Sequence, residues 1–273
     1  MLRYADAVPV ARLELEEYLR FGLRVAEAAG AATLPFFRAE VMVANKRDDG
    51  RFDPVTEADR AAERLFRDAL RATYPRHGVF GEEYGFESGN GLTWVIDPID
   101  GTRAFMTGML HWGLLLALFD GQQPVLGIMH QPFTGEFFWG DNRSAWYRRG
   151  AVERQLRCRR CPDLADAMLT TTSPGLFRGT GEREAFDRLE SRVKLSKYGG
   201  DCYIYAMVAM GYVDLATDAG LQPYDIQALI PIIRGAGGVI STADGGNPAM
   251  GGFIVAAGCD QLHRSALQCL AMK

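Results

Sequence analysis

The chain has 273 residues, 48% hydrophobic and 23% charged, the balance of an ordinary globular protein with room for one large domain or two small ones. Its formal net charge of −4 gives no general pull toward nucleic acid, and the short Arg154, Arg157, Arg159, Arg160 group reads as a solvated face rather than a nucleic-acid stripe. The longest apolar runs, such as Leu114 to Phe119, are too short to cross a bilayer, and the N-terminus carries acids without a signal-peptide core, so a cytoplasmic protein with no membrane partner is expected.

Apolar residues at helical spacing (Leu15, Leu19, Leu23, Val25, Ala29, Leu34) predict a first amphipathic helix over Leu13 to about Phe37. The polar stretch from Asn45 to Gly50 reads as a loop, in which Lys46 either approaches an anion or stands exposed. Asp53-Pro-Val-Thr-Glu-Ala-Asp59 leads into a second helix, about Thr56 to Tyr74, with Thr56 placed to cap it and acids in its first turn. Gly78 to Gly81 is a short strand that delivers Glu82 and Glu83 at its end. Strands are predicted at Trp94–Ile96, His111–Phe119, Pro124–His130 and Glu136–Gly140, with turns at Asp120-Gly121 and Phe133-Thr134-Gly135. The second half mixes strands near Ala167–Thr172, Val213–Thr217, Gly238–Ser241 and Phe253–Ala256 with helices. Those helices lie near Glu182–Ser191, Asp201–Met210, Tyr224–Gly235 and Gln261–Met272. No fixed-period repeat or low-complexity linker is present, and the blocks of helices and strands indicate a layered α/β or α+β fold. Five cysteines, an odd number, suit free thiols in a reducing compartment. The one C-x-x-C, Cys158 and Cys161, has no second pair or histidine cluster to complete a zinc site.

The most informative stretch is Trp94-Val-Ile-Asp97-Pro-Ile-Asp100-Gly-Thr102. An apolar β-rich run that ends in Asp-Pro reads as a buried strand emerging into a site. Two carboxylates and a backbone carbonyl are the oxygen donors that hard divalent cations prefer, and Mg²⁺ is often shared with substrate phosphate. A helix starting after Gly101 would present N–H groups to an anion. One loop therefore suits metal and phosphate together.

The acidic motifs recur in order: Asp53 to Asp59, Gly81-Glu82-Glu83, Asp97 to Thr102, and Pro223-Tyr224-Asp225 followed by Gly235-Ala-Gly-Gly238. In this the chain resembles the inositol monophosphatase family of metal-dependent phosphatases over about residues 20 to 260. The resemblance implies a layered αβαβα sandwich and a single phosphatase domain over 1–273. Its N-terminal half, about 1–150, would carry the metal and water-activating motifs, and its C-terminal half, about 151–273, the last metal ligand and substrate recognition. It implies a phosphomonoesterase using Mg²⁺, two or three ions per site. Glu82, Asp97 and the Ile99 carbonyl match ligands of a first ion, and Asp97, Asp100 and Asp225 those of a second. Glu82 and Thr102 match the pair that activates the attacking water, with Asp53 and Thr56 as outer partners. The N–H groups of Gly101 and Thr102 match a phosphate cradle. A homodimer is expected from the same resemblance.

Two departures narrow the substrate. Arg103-Ala104-Phe105 follows Thr102 where inositol phosphatases usually show Thr-Asn-Phe, and Tyr224 precedes the last Asp where they usually carry Trp. Together with Gly199-Gly-Asp201-Cys-Tyr203, these look like the histidinol-phosphate phosphatases of this superfamily, enzymes of histidine biosynthesis. A substrate with an amine and an imidazole suits an acidic partner, so Asp201 and Asp218 join Arg103 as substrate-binding candidates. Against that, Asp201 reads equally as a helix cap and Asp218 as a turn acid. The alternatives are an inositol-1-phosphate or broad sugar-phosphate phosphatase, a bisphosphate nucleotidase, and a non-catalytic relative that binds metal or a partner protein. The four histidines are scattered and read as structural.

Overall fold

The computed structural model describes residues 2–39, 43–45 and 54–271, the side chains of 43–45 and 54–56 excepted. In chain order its elements are α1 (Arg12–Thr33), β1 (Val43–Asn45), β2 (Pro54–Thr56), α2 (Glu57–Thr73), β3 (Gly78–Gly81), β4 (Gly85–Glu87), β5 (Thr93–Asp100) and α3 (Thr102–Met106). There follow β6 (Gly113–Phe119), β7 (Pro124–Gln131), β8 (Glu136–Gly140), β9 (Ala145–Arg149), β10 (Val152–Gln155), β11 (Met168–Thr171), α4 (Glu182–Glu190) and β12 (Leu195–Tyr198). The chain closes with α5 (Cys202–Ala209), β13 (Leu215–Leu221), α6 (Pro223–Ile226), α7 (Leu229–Gly235), β14 (Val239–Thr242), β15 (Gly252–Ala257) and α8 (Asp260–Ala271).

Among the described residues two large sheets form, an eight-stranded one in the order β10-β9-β8-β7-β6-β5-β3-β4 and a five-stranded one in the order β12-β11-β13-β15-β14. The unbroken apolar run of β6 explains their stacking. Leu114, Leu116 and Leu118 enter a core with Tyr18, Phe21 and Phe66 of α1 and α2, while Leu115, Ala117 and Phe119 enter a second core with Ile204 of α5 and Ile230 and Ile233 of α7. A strand covered on both faces needs no polar alternation. The small sheet lends Ala216, Ile254 and Ala256 to the second core, and on its far side Leu169, Leu215 and Val255 pack against α4 and α8. The result is the αβαβα sandwich expected from the sequence. No helix among the described residues is long and apolar enough to cross a membrane.

The departures from the predicted elements have local causes. α1 stops at Thr33 rather than Phe37 because Pro35 has no N–H to continue the helical hydrogen-bond ladder, and the chain, with Leu34 still in helical backbone, passes into a 3₁₀ turn. The predicted helix over Tyr224–Gly235 is two helices. Pro231 in the interior of one would remove a hydrogen bond and clash with the preceding turn, and the break at Gln227-Ala228 moves it into the first turn of α7. The arginine group is not wholly solvated, because Arg159 Nε donates to Asp214 Oδ1 at 2.8 Å and that carboxylate is fully buried. All five cysteines are free thiols.

Candidate active site

Strand β5 aims its two aspartates by breaking its own period. Trp94 and Ile96 join the core under α1 and α2, whereas Val95 joins the central core, so alternation turns Asp97 toward the central layer. Asp100 lies three residues on and would face the other way. The pairing with β6 shifts between them, since Asp97 stands opposite Leu115 but Asp100 opposite Gly113. Three steps along β5 against two along β6 make a bulge, which returns Asp100 to the central face. Gly113 confirms the side, because a Cβ there would lie 3.0 Å from Cys202 Sγ of α5. Pro98 sits within the bulge, where a residue without an N–H is tolerated in a sheet.

Two further elements supply the remaining acids. β3 runs parallel to β5 with Gly81 level with Ile96, so the chain leaves β3 with Glu82 beside Asp97. Asp225 comes from α6, where its Oδ2 accepts the Gln222 N–H at 2.7 Å. Carboxylate oxygens of Asp97, Asp100 and Asp225 lie within 4.8 Å of one another, and Glu82 lines the same cavity of about 280 Å³. Asp97 is 1% exposed. Burial first, then the charges of Glu82, Asp100 and Asp225, push its carboxyl well above the usual range. Asp100 is raised by burial and by Asp201 and Asp225, against the pull of the Cys202 N–H that it accepts at 2.6 Å. Asp225 is pushed up to about 7 by burial, with Glu82 adding to the shift and hydrogen bonds from Gln222 and with Asp97 opposing it. Carboxylates packed until they retain protons near neutrality form an all-oxygen set that suits hard divalent cations.

The loop after β5 is fixed around a glycine. Gly101 has φ 84°, in the left-handed region, and a Cβ there would meet the His111 carbonyl oxygen at 2.6 Å. α3 then starts at Thr102, leaving its first N–H groups without partners inside the helix at the cavity wall. The Thr102 hydroxyl donates to the Ile99 carbonyl at 3.1 Å, and Asp97 Oδ1 accepts the Ile99 N–H at 3.1 Å. The carbonyl keeps a second lone pair for another partner. Asp53 and Lys46 lie outside the described residues, and Thr56 is described only by its place at the end of β2, directly before α2.

Arg103, Asp201 and Asp218 line the same cavity. Asp201 occupies the capping position of α5 but makes no side-chain cap bond, so the helix-cap alternative fails. The capping acceptor at Cys202 is Asp100. Asp201 instead holds strained backbone, φ 44° and ψ −133°, of the kind that gathers at functional sites. Burial raises its carboxyl to about 6 against the opposing charge of Arg103. Asp218 is no turn acid either. It lies within β13, 1% exposed, and accepts from Thr171 Oγ1 at 2.8 Å and from the Thr172 N–H and hydroxyl at 2.7 and 3.0 Å. Burial still lifts it to about 7. Beyond the residues expected from the sequence, Thr172, Ser173, Cys202 and Tyr205 also line the cavity. Thr172 and Ser173 directly follow β11, a strand-end position like those of the acids, and that signal was available. No histidine is among the lining residues; His77 accepts from Trp94 Nε1 and His130 stacks on Phe137.

Comparison with known proteins agrees with this geometry. The model of the inositol monophosphatase family matches residues 14–271. The chain is 38% identical to the bifunctional phosphatase IMPL2, chloroplastic, of Arabidopsis thaliana, over 94% of this chain and 76% of that one. It is 36% identical to the histidinol-phosphatase of Chlorobaculum parvum, over 81% and 83%. A solved structure described as an inositol monophosphatase from Zymomonas mobilis superposes with a TM-score of 0.83 at 37% identity, covering 94% of this chain and 98% of that one. Four acidic motifs in order, the layered sandwich that carries them, and a match over nearly the whole length establish that the chain belongs to the inositol monophosphatase family, phosphatases acting on phosphoric monoesters.

Proposed function

We propose that this phosphatase is Mg²⁺-dependent and hydrolyses L-histidinol phosphate to L-histidinol and phosphate, a step of histidine biosynthesis, as a cytoplasmic homodimer. The observation that carries the reading is a pair of acids beyond the Asp97, Asp100 and Asp225 cluster: Asp201 and Asp218 line the same cavity and form an acidic wall of their own. A leaving group bearing an ammonium and an imidazole matches such a wall, and a neutral polyol does not require one. Similarity to the Chlorobaculum parvum histidinol-phosphatase supports the same substrate.

In this reading Glu82, Asp97 and the Ile99 carbonyl hold one ion, and Asp97, Asp100 and Asp225 a second. When bound, the ions neutralise the ester dianion and lower the pKa of water. Gly101 and Thr102 direct their N–H groups at phosphate oxygens and fix the ester for in-line attack. Glu82 and Thr102 orient the attacking water; its proton goes to the Glu82 carboxylate, or to Thr102 as that hydroxyl gives its own proton to Asp53, with Thr56 beside them in the relay. Arg103, Asp201 and Asp218 orient the alcohol portion, and positioning supplies most of the catalysis because phosphoryl transfer asks little covalent work of side chains. Both halves of the chain, about 1–150 and 151–273, act as one phosphatase domain.

The second reading is an inositol-1-phosphate or broader sugar-phosphate phosphatase, favoured by the likeness to the Zymomonas mobilis inositol monophosphatase structure. Phosphate release from L-histidinol phosphate and from inositol 1-phosphate, side by side with Mg²⁺ and with chelator, separates them. Preference for histidinol phosphate that vanishes on chelation is expected. Preference for inositol 1-phosphate would keep the metal site and overturn the roles of Arg103, Asp201 and Asp218. Metal-independent release, or none, would overturn the reading itself.

A further inference from the structure

We propose that Glu63 and Arg67, an ion pair on α2 outside the cavity, are positioning residues for the Glu82 carboxylate. The proposal rests on the metal-dependent reading above. The two side chains stand one helical turn apart and are almost wholly buried, at 0% and 3% exposure. Glu63 Oε2 accepts the Glu83 N–H at 2.7 Å. Its Oε1 accepts the Tyr84 N–H at 3.2 Å and Arg67 Nε at 2.8 Å. Arg67 uses its other nitrogens on the Gly85 carbonyl at 2.5 Å and on Glu87 Oε1 at 2.8 Å. Every one of these hairpin contacts falls on the five residues that follow Glu82.

On the other side of Glu82, Gly81 is tied into the parallel ladder with β5. A Cβ at Gly81 would lie 2.0 Å from Glu63 Oε1, so the glycine is what admits the carboxylate under the turn. The backbone of Glu82 is thereby held before and after, by the sheet and by the ion pair. A buried ion pair is weak evidence for stability, since apolar residues of like volume often serve as well or better. What apolar side chains cannot do is hold N–H and carbonyl groups in fixed directions. Displacing a ligand loop by about 1 Å is enough to impair a site of this kind.

The test compares wild type with Glu63→Gln, the double variant Glu63→Leu/Arg67→Met, and Arg67→Lys. Mg²⁺ binding is measured by calorimetry without substrate, half-saturating Mg²⁺ by turnover of a generic phosphate ester, and the melt in chelator. The expected result is a rise of tenfold or more in the Mg²⁺ dissociation constant for Glu63→Gln and for the double variant, with the double variant melting in chelator no lower than wild type. That split separates positioning from a merely structural role. A folded double variant that binds Mg²⁺ like wild type overturns the proposal. If the double variant does not fold, Arg67→Lys decides, because it keeps the charge but cannot reach both Gly85 and Glu87; a Mg²⁺ affinity unchanged there overturns the proposal, and a severalfold loss upholds it. Wild type that neither binds Mg²⁺ nor responds to it would instead overturn the metal reading, and this proposal with it.

Discussion

Replacing Asp225 with Asn is predicted to stabilise the metal-free protein while removing its activity. In the cluster, oxygens of Asp97, Asp100 and Asp225 lie within 4.8 Å of one another. At that distance two full charges repel by about 3 kcal/mol at an effective dielectric near 20. The titration of Asp225 leads to a similar figure. Its carboxyl is pushed up from 3.8 to about 7. A shift of that size corresponds to roughly 4 kcal/mol between the two protonation states, of which ~2–4 kcal/mol is expected for a half-buried group. The shift is upward, so the folded state holds the proton more tightly than the unfolded chain. The associated stability is complete below about pH 4 and is lost as pH rises through about 7. Asn keeps an oxygen to accept the Gln222 N–H but carries no charge. In chelator at pH 8, Asp225→Asn should therefore melt roughly 5–10 °C above wild type, and the gap should narrow as pH falls to 5. Added Mg²⁺ should reverse the order, since only wild type gains from binding. Differential scanning calorimetry across pH 5–8, with and without Mg²⁺, reads all of this. A metal-free variant that melts at or below wild type at pH 8 would refute the reasoning.

Asp97→Asn should abolish calorimetric Mg²⁺ binding and lower turnover by at least about a hundredfold, because the proposed function has this residue serve both ions; near wild-type turnover in a metal-saturated assay would count against the assignment. Asp201→Asn should raise KM for a cationic ester such as histidinol phosphate severalfold while leaving an uncharged sugar phosphate nearly unaffected, and equal effects on both would remove its role in recognition. Gly127→Ala should destabilise the fold by about 2 kcal/mol or more in urea titration, because the added Cβ would meet the Ala228 carbonyl oxygen at 1.9 Å where α7 crosses β7; an unchanged midpoint would show that this crossing yields.

The readable parts of this molecule were those in which a short stretch carries its own cause. The run from Trp94 to Thr102 joins an apolar strand to two aspartates without outside help, and β6 announced its burial by having no polar residue between Leu114 and Phe119. The strands that escaped notice take their structure from neighbours. β10 is exposed throughout and resembles a polar loop, and it is a strand because it pairs with β9 across a turn at Gly150. β12 is a largely exposed edge held by β11. At the site, the acids were visible, but their common facing was not, since it depends on a slip in pairing with β6. The link from α2 to the turn after Glu82 was equally hidden, because Glu63 and Arg67 read as two more polar residues on an amphipathic helix.

The slip between Asp97 and Asp100 also sets which sequence changes the chain can survive. Substitution of Ile99 by another apolar residue alters packing under α3 but leaves the count of residues intact. Insertion or deletion of one residue between the aspartates is a different matter, because it reverses the parity on which Asp100 depends. The carboxylate would then swing to the face on which Ile99 packs with Phe105 and Trp112, an apolar cluster away from the other acids. Length across these four positions is therefore more tightly held than the identity of the residues between the acids, and drift in this segment is confined to point changes.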